Sequence, residues 1–384
     1  MTPARARVSV LFLVTEDWYF CLHRLSLARA LRENGYEVTV ATCVNEHGAQ
    51  IAGEGFKLIP IRLSRSSWNP FTDLVAIAEL VRIYRTEKPD IIHHIGMKPI
   101  VYGSWAARIA GRRAVVNAFA GLGYVFEGTE WKKRMLRAVT VLLLRTAFTG
   151  RVTLAMFENG DDLEELRSRG VVTSRRSAVI RGAGVDESLF VPAPEAGGDP
   201  VILLASRMLF LKGIGEFVEA SKIVRGRGIA ARFVLAGRRD PGNPTSISEK
   251  QLRDWQAAGW IEWRGQLEDM PRLIAEAQIV ALPSWTEGLP RALLEAASCA
   301  RPVVGTDIPG NREIVRDGKN GFLVPLRNPQ ALAEALMKLI GNPDLRRRMG
   351  ECGRRMVLEE FTEKFVFSQV LDLYSNLLQR AAAN

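Results

Sequence analysis

The stretch from residue 284 to residue 295 combines two carboxylates with the start of a helix. In Ser284-Trp-Thr-Glu-Gly-Leu-Pro-Arg-Ala-Leu-Leu-Glu295, Pro290 suits the first helical turn, where its missing N–H costs no hydrogen bond. Backbone amides between Gly288 and Arg291 would favour an anion together with the helix dipole. Glu287 and Glu295 would then accept hydrogen bonds from the hydroxyls of a polyhydroxylated ligand. On spacing alone, a capped surface helix with ordinary glutamates is an equal alternative.

A second segment places two cations at the end of an apolar run. Ala205-Ser-Arg-Met-Leu-Phe-Leu-Lys-Gly213 contains Arg207 and Lys212, whose fixed positive charges suit a diphosphate. Gly213 would let the chain turn tightly into the next helix. An Arg-x4-Lys pattern alone is weak, but both segments fall at analogous strand ends of one α/β repeat.

Both segments belong to a chain in which short β-branched runs alternate with amphipathic stretches. In the first half we expect helices over 22–34, 71–86 and 100–110. The first should end before Gly35, with that glycine in the left-handed conformation. The near-continuous apolar strands predict parallel sheets covered on both faces. The predicted strands are Val8–Val14, Glu37–Thr42, Lys57–Ile61, Ile91–His94, Ala114–Phe119, Thr153–Phe157, Ala178–Ile180, Val201–Ala205, Arg232–Ala236, Trp260–Trp263, Ile279–Leu282, Pro302–Gly305 and Gly321–Val324.

The alternation breaks once, at a cluster of prolines and glycines over residues 187–200, which reads as a linker. We therefore predict an α/β class chain of two doubly wound domains, 1–188 and 199–360. Open parallel sheets bind ligands at the carboxyl ends of their strands, so we expect the two domains to face a ligand cleft. The spacing of apolar residues over 361–384 predicts one more amphipathic helix, which we expect to cross back to the first domain.

The composition is that of an ordinary folded protein and excludes a disordered or fibrous chain. Among 384 residues, 47% are hydrophobic, and 52 Lys and Arg stand against 42 Asp and Glu. Most of the formal charge of +10 lies before residue 190, which suggests a negatively charged partner there. The four cysteines are far apart and the histidines have no metal-ligand spacing, so we expect reduced thiols in a cytoplasmic protein.

One predicted helix carries much of this charge. Residues 131–151, beginning at Trp131 and ending at Arg151, contain six basic residues and no acidic one, with apolar residues at roughly helical spacing. A basic amphipathic helix of this kind can lie in an anionic membrane interface. The alternative is that its apolar side packs against its own sheet; both hold if the basic side faces lipid. The apolar run at Val8–Val14 comes after two arginines and so resembles a weak signal peptide. Because the acidic residues Glu16 and Asp17 come directly after it, we interpret the run as a strand.

Together, the two segments after residue 200 resemble the nucleotide-sugar site of retaining family 4 glycosyltransferases, which have the two-domain GT-B fold. Supporting matches are Val234-Leu-Ala-Gly237, Gly265-Gln-Leu267 and Thr306-Asp-Ile-Pro-Gly-Asn-Arg-Glu-Ile-Val315. The resemblance implies that Glu287 binds the donor sugar and Glu295 the ribose. It also implies that Arg207 and Lys212 stabilise the leaving diphosphate. The donor-binding set it implies is Glu295, Gly288, Leu289, Pro290, Gly265 and Leu267.

The first domain resembles a narrower bacterial branch that extends sugars on polyprenyl-diphosphate carriers. The matching segments begin at Asp17, His93, Ala120 and Phe157. The chain departs from many family members in having Thr-Glu-Asp-Trp after the first strand instead of a Gly-Gly turn, and Phe119-Ala-Gly-Leu after the fifth instead of a histidine. The candidate acceptor-binding residues are Asp17, His23, Arg24 and Lys98, with Arg24 and Lys98 expected on the acceptor diphosphate. His94 is a candidate for assisting deprotonation. The alternatives are a satisfied core histidine at 93 or 94 and a solvated Arg24.

These features predict a retaining glycosyltransferase that moves a hexose or N-acetylhexosamine, expected on UDP, to a polyprenyl-diphosphate-linked sugar. We expect a peripheral protein on the inner face of the bacterial cytoplasmic membrane, with residues 131–151 as the contact and no nucleic acid as partner. No Asp-x-Asp occurs in a strand-end loop, so we expect donor binding to require no divalent metal. The nucleotide sugar is expected as a substrate, and no cofactor is expected. The alternatives are a nucleotide-sugar epimerase of similar fold and a basic nucleic-acid-binding module.

Overall fold

The structure is a computed structural model that describes residues 7–63, 69–126, 130–149, 152–267 and 269–383. It divides into two compact units. The first unit comprises Met1–Ala183 and Glu363–Asn384, and the second unit comprises Gly184–Thr362.

The first unit is built on a seven-stranded parallel sheet with strand order β3-β2-β1-β4-β5-β6-β7. The central strands are buried along most of their length, as their continuous apolar sequences require. The strands are β1 (Ser9–Glu16), β2 (Glu37–Cys43), β3 (Lys57–Pro60), β4 (Ile91–Ile95), β5 (Ala114–Phe119), β6 (Val152–Phe157) and β7 (Ser177–Val179).

Helices cover both faces of this sheet. The helices before residue 184 are α1 (Asp17–His23), α2 (Leu25–Glu33), α3 (Gly48–Gly53), α4 (Pro70–Glu87), α5 (Met97–Ile109), α6 (Trp131–Ala147) and α7 (Gly160–Ser168). On one face, α4, α5 and α6 lie side by side, with α5 packed against both neighbours. On the other face, α2 forms a core with the alternate strand residues.

The second unit repeats the design with a six-stranded parallel sheet of order β10-β9-β8-β11-β12-β13. Its strands are β8 (Val201–Ala205), β9 (Arg232–Ala236), β10 (Glu262–Trp263), β11 (Ile279–Leu282), β12 (Val303–Thr306) and β13 (Gly321–Val324). Its helices are α8 (Ile214–Gly226), α9 (Glu249–Ala257), α10 (Met270–Glu276), α11 (Arg291–Ser298), α12 (Pro309–Arg312), α13 (Pro329–Ile340) and α14 (Pro343–Glu360).

The last helix, α15 (Glu363–Ala382), packs on the first unit. Val366, Val370, Tyr374 and Leu377 are buried in the core formed with α2 and the sheet. The hydroxyl of Tyr374 lies 2.6 Å from Nδ1 of His93 on β4, so the helix is joined to the sheet by a buried polar contact as well as by apolar packing.

The predicted fold class, two doubly wound α/β domains, is confirmed, and the thirteen predicted strands are present with ends shifted by a few residues. The left-handed conformation expected at Gly35 is also found, with φ of 84°. One helix prediction is wrong. The stretch 22–34 is not continuous, because Arg24 has φ of −134° and separates α1 from α2.

Residues 187–200 contain no helix or strand, as predicted, but they are not a free linker. The guanidinium of Arg354 donates to the carbonyls of Glu187 and Phe190, each at 3.0 Å. Arg346 forms an ion pair with Glu195 at 2.6 Å. The segment therefore lies along the second unit. None of the helices within the described ranges is both long and apolar enough to span a bilayer.

Candidate active site

In the second unit, a single glycine allows the ends of β8 and β11 to meet. After β8, one helical turn over Phe210–Lys212 ends at Gly213, which has φ of 72° and begins α8. A Cβ on Gly213 would lie 2.0 Å from the carbonyl oxygen of Pro283, so no other residue fits without moving the chain. The two segments are also joined by a backbone bond, because the N–H of Trp285 donates to the carbonyl of Leu211 at 2.8 Å.

This approach brings Lys212 onto Glu287. The Lys212 Nζ lies 2.6 Å from Oε1 of Glu287, and the hydroxyl of Ser284 donates to the same oxygen at 2.6 Å. The side chains of Lys212 and Glu287 retain exposed fractions of 20% and 9%. Lys212 and Glu287, two of the residues predicted to act on the donor, thus form one partly accessible cluster, and Ser284 orients the carboxylate.

A loop after β12 supports the back of this cluster. A Cβ on Gly310 would come within 2.6 Å of the carbonyl oxygens of Glu287 and Gly288, so the glycine permits close packing there. The buried amide of Asn311 donates to the carbonyl of Thr306 at 2.9 Å, and the Thr306 hydroxyl donates to the carbonyl of Ser284. The matching segment at 306–315 therefore has a structural explanation that spacing alone did not show.

Glu295 lies on α11, which begins at Arg291 with Pro290 as its N-cap. The prediction that Pro290 stands inside the first turn is therefore wrong by one residue. Glu295 is buried, and Nε of Arg291 donates to it at 2.6 Å. Burial raises the pKa of the Glu295 carboxyl, and the neighbouring Arg291 opposes that rise.

Arg207 is held by a residue that the sequence did not single out. Its guanidinium lies 2.5 Å from Asp240, in the loop that follows β9. That loop pairs with the chain beside Arg207: the N–H of Phe210 donates to the carbonyl of Thr245, and the N–H of Ile247 donates to Met208. The turn-rich run Asp240-Pro-Gly-Asn-Pro244 was the available signal, since it marks a structured strand-end loop.

Two more glycines bring the ends of β8, β9 and β10 together. A Cβ on Gly237 would lie 1.8 Å from the carbonyl oxygen of Ser206. Its N–H donates to the carbonyl of Gly265 at 2.7 Å, and Gly265 has φ of 68°. Leu267, also in the predicted donor-binding set, is 37% exposed at the same edge. The predicted donor residues thus occupy neighbouring strand ends of one sheet.

In the first unit, Asp17 organises a loop. Its buried carboxylate accepts from the backbone N–H groups of Trp18, Asn45 and His47 at 2.7–2.9 Å. Its predicted contact with the acceptor stays a prediction. His23 is half-buried and packs on Tyr19, with ring centroids 4.4 Å apart.

The predicted contact of Arg24 with the acceptor diphosphate does not agree with its burial, whereas the predicted contact of Lys98 stays a prediction. Arg24 is 1% exposed and is occupied by Glu158 at 3.1 Å, on the face of the sheet where it also lies near Tyr374. Lys98 lies at the start of α5, and its ammonium is 3.4 Å from Asp73 on α4. Arg24 therefore belongs to a buried ion pair in the core, whereas Lys98 retains some access at the carboxyl edge.

The predicted catalytic role of His94 does not agree with its environment. The ring is fully buried; Nδ1 lies 2.7 Å from the amide oxygen of Asn117, and Nε2 lies 3.0 Å from the hydroxyl of Tyr84. A Cβ on Gly103 would approach the ring to 2.4 Å, which shows how tightly α5 covers it. Burial lowers the pKa of His94 to about 4. His94 is therefore a satisfied core histidine.

The basic segment at 131–151 is helical from Trp131 to Ala147, and Arg151 lies outside the described residues. Val141, Leu144 and Ala147 are buried against the sheet. Trp131, Met135 and Leu142 are more than half exposed. The helix thus has an apolar side for its own core and a second apolar side towards solvent.

Two family models match this chain. Residues 199–342 match the family model of glycosyl transferases group 1, and residues 9–154 match that of glycosyl transferase 4-like domains. The chain belongs to the glycosyltransferases. Transfer is thereby favoured over the epimerase alternative.

The chain is 26% identical over 372 residues to the N,N'-diacetylbacillosaminyl-diphospho-undecaprenol alpha-1,3-N-acetylgalactosaminyltransferase of Campylobacter jejuni, covering 93% of this chain and 95% of that protein. It is 25% identical to the UDP-Gal:alpha-D-GlcNAc-diphosphoundecaprenol alpha-1,3-galactosyltransferase of Escherichia coli, with 80% of each chain covered. HepE of Anabaena, solved with UDP and glucose, has the same fold: the TM-score is 0.79 at 20% identity, covering 96% of this chain and all of that one. The GT-B fold is confirmed.

Proposed function

We propose that this glycosyltransferase moves a hexosyl or N-acetylhexosaminyl group from a UDP-sugar to a sugar on a polyprenyl diphosphate, with retention of anomeric configuration. The observation that carries the donor side is the cluster of Lys212, Glu287 and Ser284 beside Arg207 at adjoining strand ends. The two bacterial relatives above act on diphospho-undecaprenol sugars by name, and one of them uses UDP-Gal.

On the donor, the cations act on the leaving group and the carboxylates act on hydroxyls. Lys212 and Arg207 would turn from Glu287 and Asp240 towards the diphosphate and stabilise the negative charge that grows on it. Glu287, oriented by Ser284, would accept hydrogen bonds from the donor sugar, and Glu295 from the ribose.

Retention follows from attack on the face from which the diphosphate departs. The bond between the anomeric carbon and the diphosphate oxygen breaks, and the acceptor hydroxyl oxygen bonds to the same face. The hydroxyl proton passes to the departing diphosphate oxygen, so no enzymic nucleophile takes part. This scheme needs neither His94 nor a divalent metal, and metal independence is part of the proposal.

On the acceptor side, Lys98 at the start of α5 is a candidate cation at the carboxyl edge of the first unit's sheet. It lies next to Asp73 and Tyr102, whose hydroxyl donates to that carboxylate at 2.9 Å. We also propose that α6 contacts an anionic membrane through its exposed apolar side and its basic residues, on the cytoplasmic face where a lipid-linked acceptor is extended.

The test is binding and then turnover. Thermal stability should rise with UDP but not with GDP, ADP or dTDP, and the rise should persist in chelator. At 100 times the dissociation constant, a ligand adds about 2.7 kcal/mol. The Lys212→Ala variant should lose the response. Lys222→Ala, which removes an exposed lysine paired with Glu219 in the same unit, should keep it.

Turnover with UDP-sugars and a short prenyl-diphosphate sugar should give a product whose anomeric configuration, read by NMR, matches that of the donor. An inverted product would refute the retaining scheme. Loss of turnover in chelator, restored by a divalent cation, would refute metal independence. Stabilisation by a different nucleotide would keep glycosyl transfer and overturn the UDP assignment.

A further inference from the structure

The outer side of α4 is apolar where a surface helix is normally polar. Phe71, Leu74 and Val75 have exposed fractions of 81%, 64% and 59%. They lie at i, i+3 and i+4, so they form one stripe over the first turns of the helix. The core-facing side of the same helix is separate, since Leu80 and Tyr84 are buried against the sheet. A contiguous exposed apolar stripe of this kind marks an interaction surface.

The stripe leads into a shallow open groove of about 520 Å³ between α4 and the end of α5. Its floor is aliphatic, formed by Leu74, Ile77, Val81 and Ile109. Arg82 and Arg85 also line it. The groove therefore extends the apolar stripe along α4 and adds two guanidinium groups beside it, a combination that suits the surface of an anionic bilayer.

The stripe on α4 is matched by a second one on α6. Trp131, Met135 and Leu142 are 66%, 61% and 61% exposed. Both helices flank α5 in the same layer, on the same face of the sheet. Because each follows a parallel strand, both begin at the carboxyl edge of that sheet. The two stripes therefore belong to one outer surface of the first unit.

The charge of this surface selects its partner. Over α4, α5 and α6, nine basic residues stand against three acidic ones. All three acidic residues lie on α4, and each is engaged: Asp73 with Lys98, Glu79 with the backbone N–H of Arg62, and Glu87 with Lys57. Apolar side chains combined with excess positive charge fit a bilayer that contains anionic lipid.

The apolar stripe also adjoins the candidate acceptor lysine. Asp73, which contacts Lys98, stands between Phe71 and Leu74 in the first turn of α4. A diphosphate bound at Lys98 would therefore lie next to the turn whose outer residues are apolar. Lys98 would then contact the diphosphate of a membrane-anchored acceptor, and the apolar residues at the same end of α4 would contact the bilayer.

We propose that the first turns of α4 are a second lipid contact, independent of α6, and that the two helices seat the first unit on an anionic bilayer. Phe71, Leu74 and Val75 enter the acyl region, while α6 adds electrostatic attraction through Lys132 and Arg134. The proposal rests on the proposed function only in linking this contact to Lys98.

The experiment is sedimentation of the full chain with phosphatidylcholine vesicles, with and without phosphatidylglycerol, over a range of salt. The wild type should bind the anionic vesicles. The double variant Phe71→Ser with Leu74→Ser should lower the partition coefficient at least about tenfold at every salt concentration, because its loss is apolar. The double variant Lys132→Gln with Arg134→Gln should lower mainly the salt-dependent part. Leu358→Ser, which removes an exposed leucine of the second unit, is the matched control and should bind as wild type.

A Phe71/Leu74 variant that partitions like the wild type would overturn the proposal. Equal losses in this variant and in the Leu358 control would do the same, because they would show a nonspecific effect. Binding of anionic single-stranded DNA with the affinity seen for anionic vesicles would assign the surface to another class of partner and also overturn it.

Turnover separates this inference from the proposed function. With a water-soluble short-prenyl acceptor, the Phe71/Leu74 variant should turn over as fast as the wild type, and with acceptor in vesicles it should be slower. If the wild type bound vesicles but transferred no sugar to any polyprenyl diphosphate, the proposed function would fail while the lipid contact stood. Equal loss of turnover on both acceptors would assign the two residues to the fold or the acceptor site.

Discussion

Replacing Gly213 by alanine should damage both the stability of the second unit and its donor site. The residue has φ of 72°, and a left-handed conformation costs an L-residue roughly 1–2 kcal/mol. The new Cβ would stand 2.0 Å from the carbonyl oxygen of Pro283, and forcing a methyl group into packed space costs about 1–3 kcal/mol. We expect a loss of about 3 kcal/mol. The chain must also shift between Lys212 and Ser284, which separates Lys212 from Glu287.

Gly215, two residues later in α8, provides the matched control. It has no neighbour within 4 Å of an added Cβ and no left-handed conformation. Alanine there should be neutral or stabilise by about 0.5–1 kcal/mol, since it improves helix propensity. For a unit of this size, 1 kcal/mol shifts the melting temperature by about 2–4 °C. The two variants should therefore melt roughly 6–16 °C apart.

The assay is thermal unfolding followed by tryptophan fluorescence, with and without UDP. Gly213→Ala should melt below the wild type and lose most of the UDP-induced shift, whereas Gly215→Ala should keep it. Equal melting temperatures for the two variants would refute the reasoning from φ and from the Pro283 contact. A destabilised Gly213→Ala with full UDP affinity would refute the link between this turn and the donor site.

Three further predictions concern charges. Lys212→Ala should weaken UDP binding about tenfold or more by removing a charge-assisted hydrogen bond, measured by titration calorimetry against Lys222→Ala. His94→Gln should retain turnover near neutral pH and change the pH dependence of stability. The pKa of His94 is about 4 in the native state and 6.5 ordinarily, so the unfolded chain takes up the proton first as the pH falls. The free energy of unfolding therefore keeps the contribution of neutral His94 above pH 6.5 and loses about 3 kcal/mol as the pH falls towards 4. Glu158→Gln should lower the free energy of unfolding by about 3–5 kcal/mol, because it leaves Arg24 buried without its ion-pair partner. Adding Arg24→Met to that variant should recover part of the loss.

Each of these has a contrary result. Equal UDP affinities in the two lysine variants would remove Lys212 from the donor site. For His94, the measured quantity is the difference in unfolding free energy between wild type and variant at pH 7 and pH 5. This difference cancels other groups such as Asp162, whose pKa burial raises to about 6. A folded His94→Gln protein without turnover would restore the catalytic assignment. A Glu158→Gln protein as stable as the wild type would show that the Arg24 ion pair contributes little.

Much of the fold followed from periodicity, because parallel strands buried on both faces carry continuous apolar runs between amphipathic stretches. The failure at Arg24 has a physical reason. The stretch 22–34 has helical spacing throughout, but a long-range partner, Glu158, fixes the Arg24 side chain at a break between two helices. No local pattern reports a partner 134 positions away.

The donor site was predictable where the chemistry is local, as for Lys212 and Glu287. The role of Asp240 was not predictable, because its contact with Arg207 depends on how the loop after β9 folds back. His94 shows the opposite error. A histidine at the end of a central strand suggested catalysis, but only the packing of Tyr84 and Gly103 shows that it is enclosed. Burial depends on neighbours distant in sequence, so residue type alone overstates how many polar side chains are accessible.

The place of α15 has a consequence for synthesis. The first unit is interrupted after residue 183 and finished by a helix that begins at 363, so its apolar core lacks Val370 and Tyr374 until the whole second unit has been made. This face of the nascent first unit is therefore covered by α2 but not by α15 while the second unit, whose elements are contiguous, is being made. Removal of α15 should therefore harm recovery of folded protein more than most changes within the donor site.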